Sequence, residues 1–256
     1  MGLFGKLFEK KVCSVCGDEI GLLGNRKLED GNLCKNCAAK LSPFFSDRRS
    51  STVDEIKAQL EYREENKNAV EAFHTTLSLG EDTKVLVDED AKKFIVTRAR
   101  DIVSANPDVL DFSQVTGVDI NIDEDRDEAT TEDKDGNEVS FNPPRYTYEY
   151  DFEIIINVNH PYFDTIRFDL NSSSVQINPN APYPANVPAR PSLNVEYRRY
   201  DEMAKEIKEV LTTGRREARE AAAPVAPKSP VICKLCGATT VPDANGCCEY
   251  CGGPVE

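Results

Sequence analysis

The middle of this 256-residue chain has no cysteine: none lies between Cys37 and Cys233. Any metal held by thiolates must therefore sit at the ends, and it cannot staple the central strands together. No run of about eighteen apolar residues occurs, which excludes a transmembrane helix. No secretory signal precedes Cys13, so the thiols read as reduced and cytoplasmic rather than as a disulfide framework. Histidine is limited to His74 and His160, and neither has a second ligand type at suitable spacing. A zinc deaminase would need H-x-E ahead of P-C-x-x-C, and that is missing. There is no Gly-rich phosphate cradle and no His/Cys nucleophile pair. Positive charge is scarce in the middle: residues 81–170 hold 23 Asp+Glu against 9 Lys+Arg. Such a surface repels a phosphate backbone. These absences together point away from an enzyme.

What is present is cysteine at the two ends. Cys13, Cys16, Cys34 and Cys37 form two CxxC pairs, and Cys233, Cys236, Cys248 and Cys251 form two more. Structural zinc takes four soft thiolates at tetrahedral corners, and paired CxxC supplies them. Gly17, Gly237 and Gly252 each follow the second cysteine of a pair, where a turn often needs the left-handed conformation. The expectation is two structural zinc ions with no open position for water. An iron–sulfur cluster is the alternative for the same ligands. Cys247 and Cys248 compete for one ligand position; the CxxC spacing and the following Gly-Gly favour Cys248.

The fold class expected is α+β. Residues 1–11 read as an amphipathic tail, with Leu3, Phe4, Leu7 and Phe8 at helical spacing. Three readings stand for it: a peripheral membrane contact, a frayed tail, or a tail packed on the finger. Residues 12–45 read as a treble-clef-like zinc finger, a knuckle, a hairpin around Glu29-Asp30-Gly31 and a helix stopped near Pro43. Residues 46–80 form a helical arm whose EYREENKN centre is almost wholly polar, hence exposed in its middle and suited to a spacer or partner-binding role. Residues 81–222 form an antiparallel, pleckstrin-homology (PH)-like β-barrel closed by a C-terminal helix. Its core is expected from Val85, Val87, Phe94, Val96, Ile154, Ile156, Phe168, Met203, Ile207 and Val210. Asp123, Asp125 and Asp127 resemble the start of a calcium loop. Glu128 replaces its glycine, however, and Lys134 stands where its bidentate Glu belongs, so the stretch reads as a solvated hairpin tip. NPNAPYPANVPARP reads as an irregular Pro-rich insert. Residues 223–230 are a linker and 231–256 a terminal zinc ribbon.

The stretch CSVCGDEIGLLGNRKLEDGNLCKNCAAKLSPFFSDRR resembles a bacterial family common in Firmicutes, of the domain of unknown function 4428 type. DVLDFSQVTGVDINIDE, the HPYFD turn and DANGCCEYCGG are similar to the rest of that architecture, with its PH-like middle and C-terminal ribbon. The resemblance implies zinc at Cys13, Cys16, Cys34 and Cys37 and no established activity.

The function expected is therefore that of a non-enzymatic zinc-binding adaptor with protein partners, cytoplasmic and peripheral at the membrane if the tail touches it. The alternative is a nucleic-acid-associated protein acting through Arg26, Lys27, Lys35, Arg48 and Arg49 of the basic first finger. Without interleaved aromatics, five scattered cations read more simply as a solvated face. With no ligand in the middle, both zinc modules are expected to be energetically separable from it.

Overall fold

A computed structural model describes residues 11–222, 230–241 and 247–255; the expected amphipathic tail and Pro-rich linker lie outside the described residues, apart from Lys11 and Pro230. The chain divides into two compact units, Met1–Ala218 and Arg219–Glu256. No helix among the described residues is long and apolar enough to cross a membrane.

The first unit opens with two short antiparallel hairpins. β1 (Lys11–Val12) pairs with β2 (Glu19–Ile20), and β3 (Arg26–Lys27) pairs with β4 (Asn32–Leu33). A one-turn helix, α1 (Lys35–Ala38), follows. α2 (Val53–Ala72) then starts at a full capping box. Thr52 Oγ1 accepts from Glu55 N–H at 3.3 Å, and the Glu55 carboxylate accepts from Thr52 N–H at 2.7 Å. Leu28, Leu33 and Leu41 of the finger pack with Ile56 of α2 in one small core. The finger is thus completed by the first turns of the helix that follows it.

The body holds two antiparallel sheets. β5 (Leu77–Gly80), β6 (Lys84–Asp88), β7 (Lys93–Thr97) and β8 (Val109–Asp111) form a meander in sequence order. The hairpin expected at Asp88-Glu89-Asp90-Ala91 is the β6–β7 turn. A short α3 (Ile102–Ala105) lies between β7 and β8. The second sheet is built on β10 (Glu138–Val158), which pairs with β9 (Val115–Glu132), β11 (Thr165–Asp169), β12 (Val175–Ile177) and β13 (Tyr183–Pro184). Tyr148, Tyr150, Phe152, Ile154, Ile156 and Val158 alternate inward along β10, as period two demands. Both sheets and α4 (Val195–Ala222) contribute to one core. Every residue of the expected core list lies in it, with Met203 and Val210 partly buried at its margin. Among the described residues no ladder joins the two sheets into a closed barrel.

The solvated hairpin tip expected in the acidic stretch is present, at a turn over Asp133–Asn137 with Gly136 at φ +80°, and β9 and β10 run on to it as a two-stranded ribbon. The register shift between Ser140 and Arg145 absorbs Pro143 and Pro144, which could not donate to a regular ladder. The Pro-rich insert, expected to be irregular throughout, contains β13, whose Tyr183 pairs with Tyr146.

Among its described residues the second unit has one hairpin, β14 (Val231–Ile232) with β15 (Thr239–Thr240), and an isolated bridge from Cys247 to Pro254.

Candidate metal centres

In the N-terminal module the four sulfurs of Cys13, Cys16, Cys34 and Cys37 lie within 4.8 Å of one another. Local backbone explains the gathering. The Cys13–Cys16 turn closes with Gly17 N–H donating to Cys13 O at 2.9 Å, and Gly17 sits at φ +79°. An L side chain is strained at that φ, so glycine suits the knuckle. Cys34 is the N-cap of α1, and its sulfur accepts from Cys37 N–H at 3.3 Å. Cys34 N–H in turn donates to the Cys13 sulfur at 3.3 Å. Burial pushes the Cys13 thiol up. The N–H groups of Cys16, Cys34 and Val15 outweigh that and bring it to about 6, a value suited to a metal-binding thiolate. Burial, with the neighbouring sulfurs, pushes the Cys37 thiol up.

The C-terminal module repeats the motif twice. Cys233, Cys236, Cys248 and Cys251 also lie within 4.8 Å of one another. Gly237 (φ +72°) and Gly252 (φ +69°) close matching knuckles on Cys233 O and Cys248 O, each at 2.8 Å. Backbone N–H groups of Cys251 and Tyr250 overcome burial and bring the Cys248 thiol down to about 6. Cys248 is in the cluster, and Cys247 stands outside it. Both donor sets are all-sulfur, which suits a soft ion such as zinc.

The other predicted positions fall out as follows. His74 is exposed at the end of α2, its N–H donating to Asp88 Oδ2 at 2.9 Å. His160 is an aromatic wedge. Its ring stacks on Phe163 at 4.1 Å and meets Tyr62 edge-on at 5.1 Å. Burial lowers its pKa, and its Nδ1 accepts from Tyr162 N–H at 3.3 Å. The HPYFD turn therefore docks on α2 and on Phe44, the residue leaving the finger.

The centre of α2 overturns the exposed-arm expectation. Gln59, Arg63 and Asn66 are buried, in line with Ile56 and Val70. Arg63 Nη1 donates to Asp108 Oδ1 at 2.8 Å, and the two side chains are 7% and 0% exposed. Asp108 also accepts from Ser42 Oγ at 2.7 Å and from Tyr62 OH at 3.1 Å. Arg63 reaches Lys40 O with Nε and Asn106 O with Nη2. Asn66 binds Asn106 Oδ1 at 2.8 Å and Pro107 O at 2.7 Å, and accepts from Val109 N–H at 3.0 Å. Asn106 is held left-handed (φ +48°) at the end of α3, a conformation asparagine tolerates. Three segments, the finger exit, α2 and the α3–β8 loop, thus meet in one buried hydrogen-bonded network. Sequence reading took these residues as solvent-facing because they are polar. The signal was their spacing: 56, 59, 63, 66 and 70 run three and four apart, one helical face.

A family described as a domain of unknown function (DUF4428) matches residues 11–59. The match covers the four N-terminal cysteines and the start of α2, ending at Gln59, whose Oε1 accepts from Ser42 N–H. No curated protein and no solved structure matches the chain.

Proposed function

We propose that the protein is a non-enzymatic interaction protein carrying two structural zinc ions, presenting its body and zinc modules to protein partners at the cytoplasmic side. The observation that carries this reading is the pair of four-sulfur clusters. Four protein ligands fill a tetrahedron and leave no position for water or substrate, so the metal serves folding. Four strands, then β9 to β13, then an amphipathic helix follows the strands-then-helix order of PH-like domains, with β12 and β13 as additions; such domains commonly serve as docking platforms, and that is fold analogy. The exposed ribbon of β9 and β10 supplies a presenting surface. It carries Asp123, Asp125, Asp127, Glu128, Glu132 and Glu138, and it suits a basic protein segment.

Elemental analysis of the reduced full chain tests the metal part: two zinc per chain is expected, and iron or fewer than two ions overturns it. Cross-linking capture from native cells tests the partner part. Replacing the ribbon carboxylates with amides should abolish capture of the partner; unchanged capture removes the ribbon from the interface.

A further inference from the structure

The first hairpin of the finger ends in a turn that buries nothing. Gly24 N–H donates to Gly21 O at 2.9 Å, closing Gly21-Leu22-Leu23-Gly24, and Leu22 and Leu23 are 82% and 90% exposed. The apolar positions on either side, Ile20 and Leu28, are buried in the finger core. A single exposed leucine needs no explanation. Here two adjacent leucines occupy the tip of one tight turn.

A second, independent feature adjoins that turn. Directly after Gly24, residues 25–29, with a single carboxylate in Glu29, line a cavity of about 830 Å³ together with Arg48 and Arg49. Arg48 Nη1 donates to Lys27 O at 2.5 Å, which ties the Asp47–Ser50 turn to β3. Four cations, Arg26, Lys27, Arg48 and Arg49, are thereby collected from two segments. Among the described residues none of the four pairs with a carboxylate. Burial, and then the charges of Arg49 and Arg26, lower the pKa of the Arg48 guanidinium, so the cations crowd one another. In a chain of net charge −14 this is a localised excess of the opposite sign.

We infer that this edge of the finger docks on an anionic phospholipid surface, with Leu22 and Leu23 entering the interfacial layer and the four cations lying against lipid phosphates. Charge complementarity argues for an anionic partner, and the leucine pair decides its class. Aliphatic side chains cannot stack on bases as aromatic ones do, whereas they gain free energy at the acyl boundary. This inference goes beyond the interaction role proposed above and does not depend on it.

The test is co-sedimentation of the full, zinc-loaded chain with vesicles. Binding to mixed phosphatidylcholine–phosphatidylglycerol vesicles, little binding to phosphatidylcholine alone, and loss at raised salt are expected. Leu22→Ser with Leu23→Ser should weaken partitioning on the order of tenfold or more. Arg26→Gln with Lys27→Gln and Arg49→Gln should weaken it by about fivefold per charge removed. Both sets are surface changes, and unchanged zinc content shows that the finger is intact. A Leu22→Ile, Leu23→Ile chain should bind as the parent does. Undiminished binding by the serine variant overturns the inference, since residues 1–10 would then be the whole anchor. Tighter binding to single-stranded DNA than to the anionic vesicles overturns it in favour of nucleic acid.

Discussion

The two cysteine modules share ligand type and a first knuckle closed by glycine, yet they stand differently in the chain. The N-terminal one shares a core with α2, and its exit residues Lys40 and Ser42 enter the buried network around Arg63 and Asp108. The C-terminal one lies in a unit of its own, Arg219–Glu256. Identical metal chemistry can therefore serve two ends: one site shapes a part of a larger cooperative structure, the other folds a small unit that has little else to hold it. A ribbon with one two-residue hairpin buries too little apolar surface to fold without its ion.

The largest effect expected on this comparison comes from removing the metals one at a time. Cys13→Ser should lower the main unfolding transition by more than about 5 kcal/mol, a large part of a typical domain's stability. Cys233→Ser should leave that transition in place and remove one metal. Differential scanning calorimetry with metal analysis on both variants checks this. Equal melting of the two would break the comparison. Cys247→Ser, by contrast, should keep both metals.

Next in size is the buried ion pair. Arg63→Met strands the Asp108 carboxylate among Ser42 and Tyr62, and breaking a buried pair costs about 3–5 kcal/mol. The variant should also surrender the N-terminal metal to a chelator more readily, with the ribbon metal unaffected. An unchanged chelation profile at the N-terminal site would mean that the network binds the segments together without supporting the finger.

These two experiments bear on what the sequence made legible. The cysteine ligand sets could be read directly because CxxC spacing is local: one turn brings two sulfurs together, whatever the rest of the chain does. The strand around Tyr148–Val158 was legible because burial on one face imposes period two, and those around Val85–Val96, buried on both faces, because short apolar runs flank a turn signal. The network was not, because polarity ordinarily signals exposure; Arg63 and Asn66 are buried only because Asp108 and Asn106, some forty residues away, complete them. Separability of both modules was inferred from the absence of central ligands. Hydrogen bonds couple the N-terminal one to the body without any ligand there. At the β9–β10 ribbon the hairpin tip was legible from its turn residues, but the length of the paired strands was not: the distal half has no buried face, so no alternation marks it.

A smaller effect should follow from Gly214→Ala in α4. Alanine is the better helix former by about 1 kcal/mol. Here, however, an added Cβ would meet the Phe112 ring at 2.6–2.8 Å. Phe112 cannot step aside, since it stacks on the fully buried Phe94 at 5.8 Å. Overpacking of this kind costs about 1–3 kcal/mol, so net destabilisation is expected. If finger and body form one cooperative unit, release of the N-terminal metal on heating should shift down with the main transition. Release of the ribbon metal should not move.

The smallest effect concerns pH and His160. Burial lowers its pKa in the folded chain, and its Nδ1 accepts a hydrogen bond that a proton there would break. The unfolded chain binds that proton near the ordinary histidine value of about 6.5. The sign follows: the contribution to stability is complete above about pH 6.5 and is lost as pH falls through the lowered folded value. Thiolates at both metal sites also protonate in acid, so the raw melting curve mixes causes. Comparison with His160→Phe separates them, because phenylalanine keeps an aromatic ring against Phe163 and Tyr62 and does not titrate. Between pH 7.5 and 5.5 the parent should lose more melting temperature than this variant. The ring is only partly buried and therefore screened, so the difference should be at most about 2 °C. Parallel losses would mean that acid acts through the sulfurs alone, and that the HPYFD turn holds the finger exit by packing without any dependence on charge.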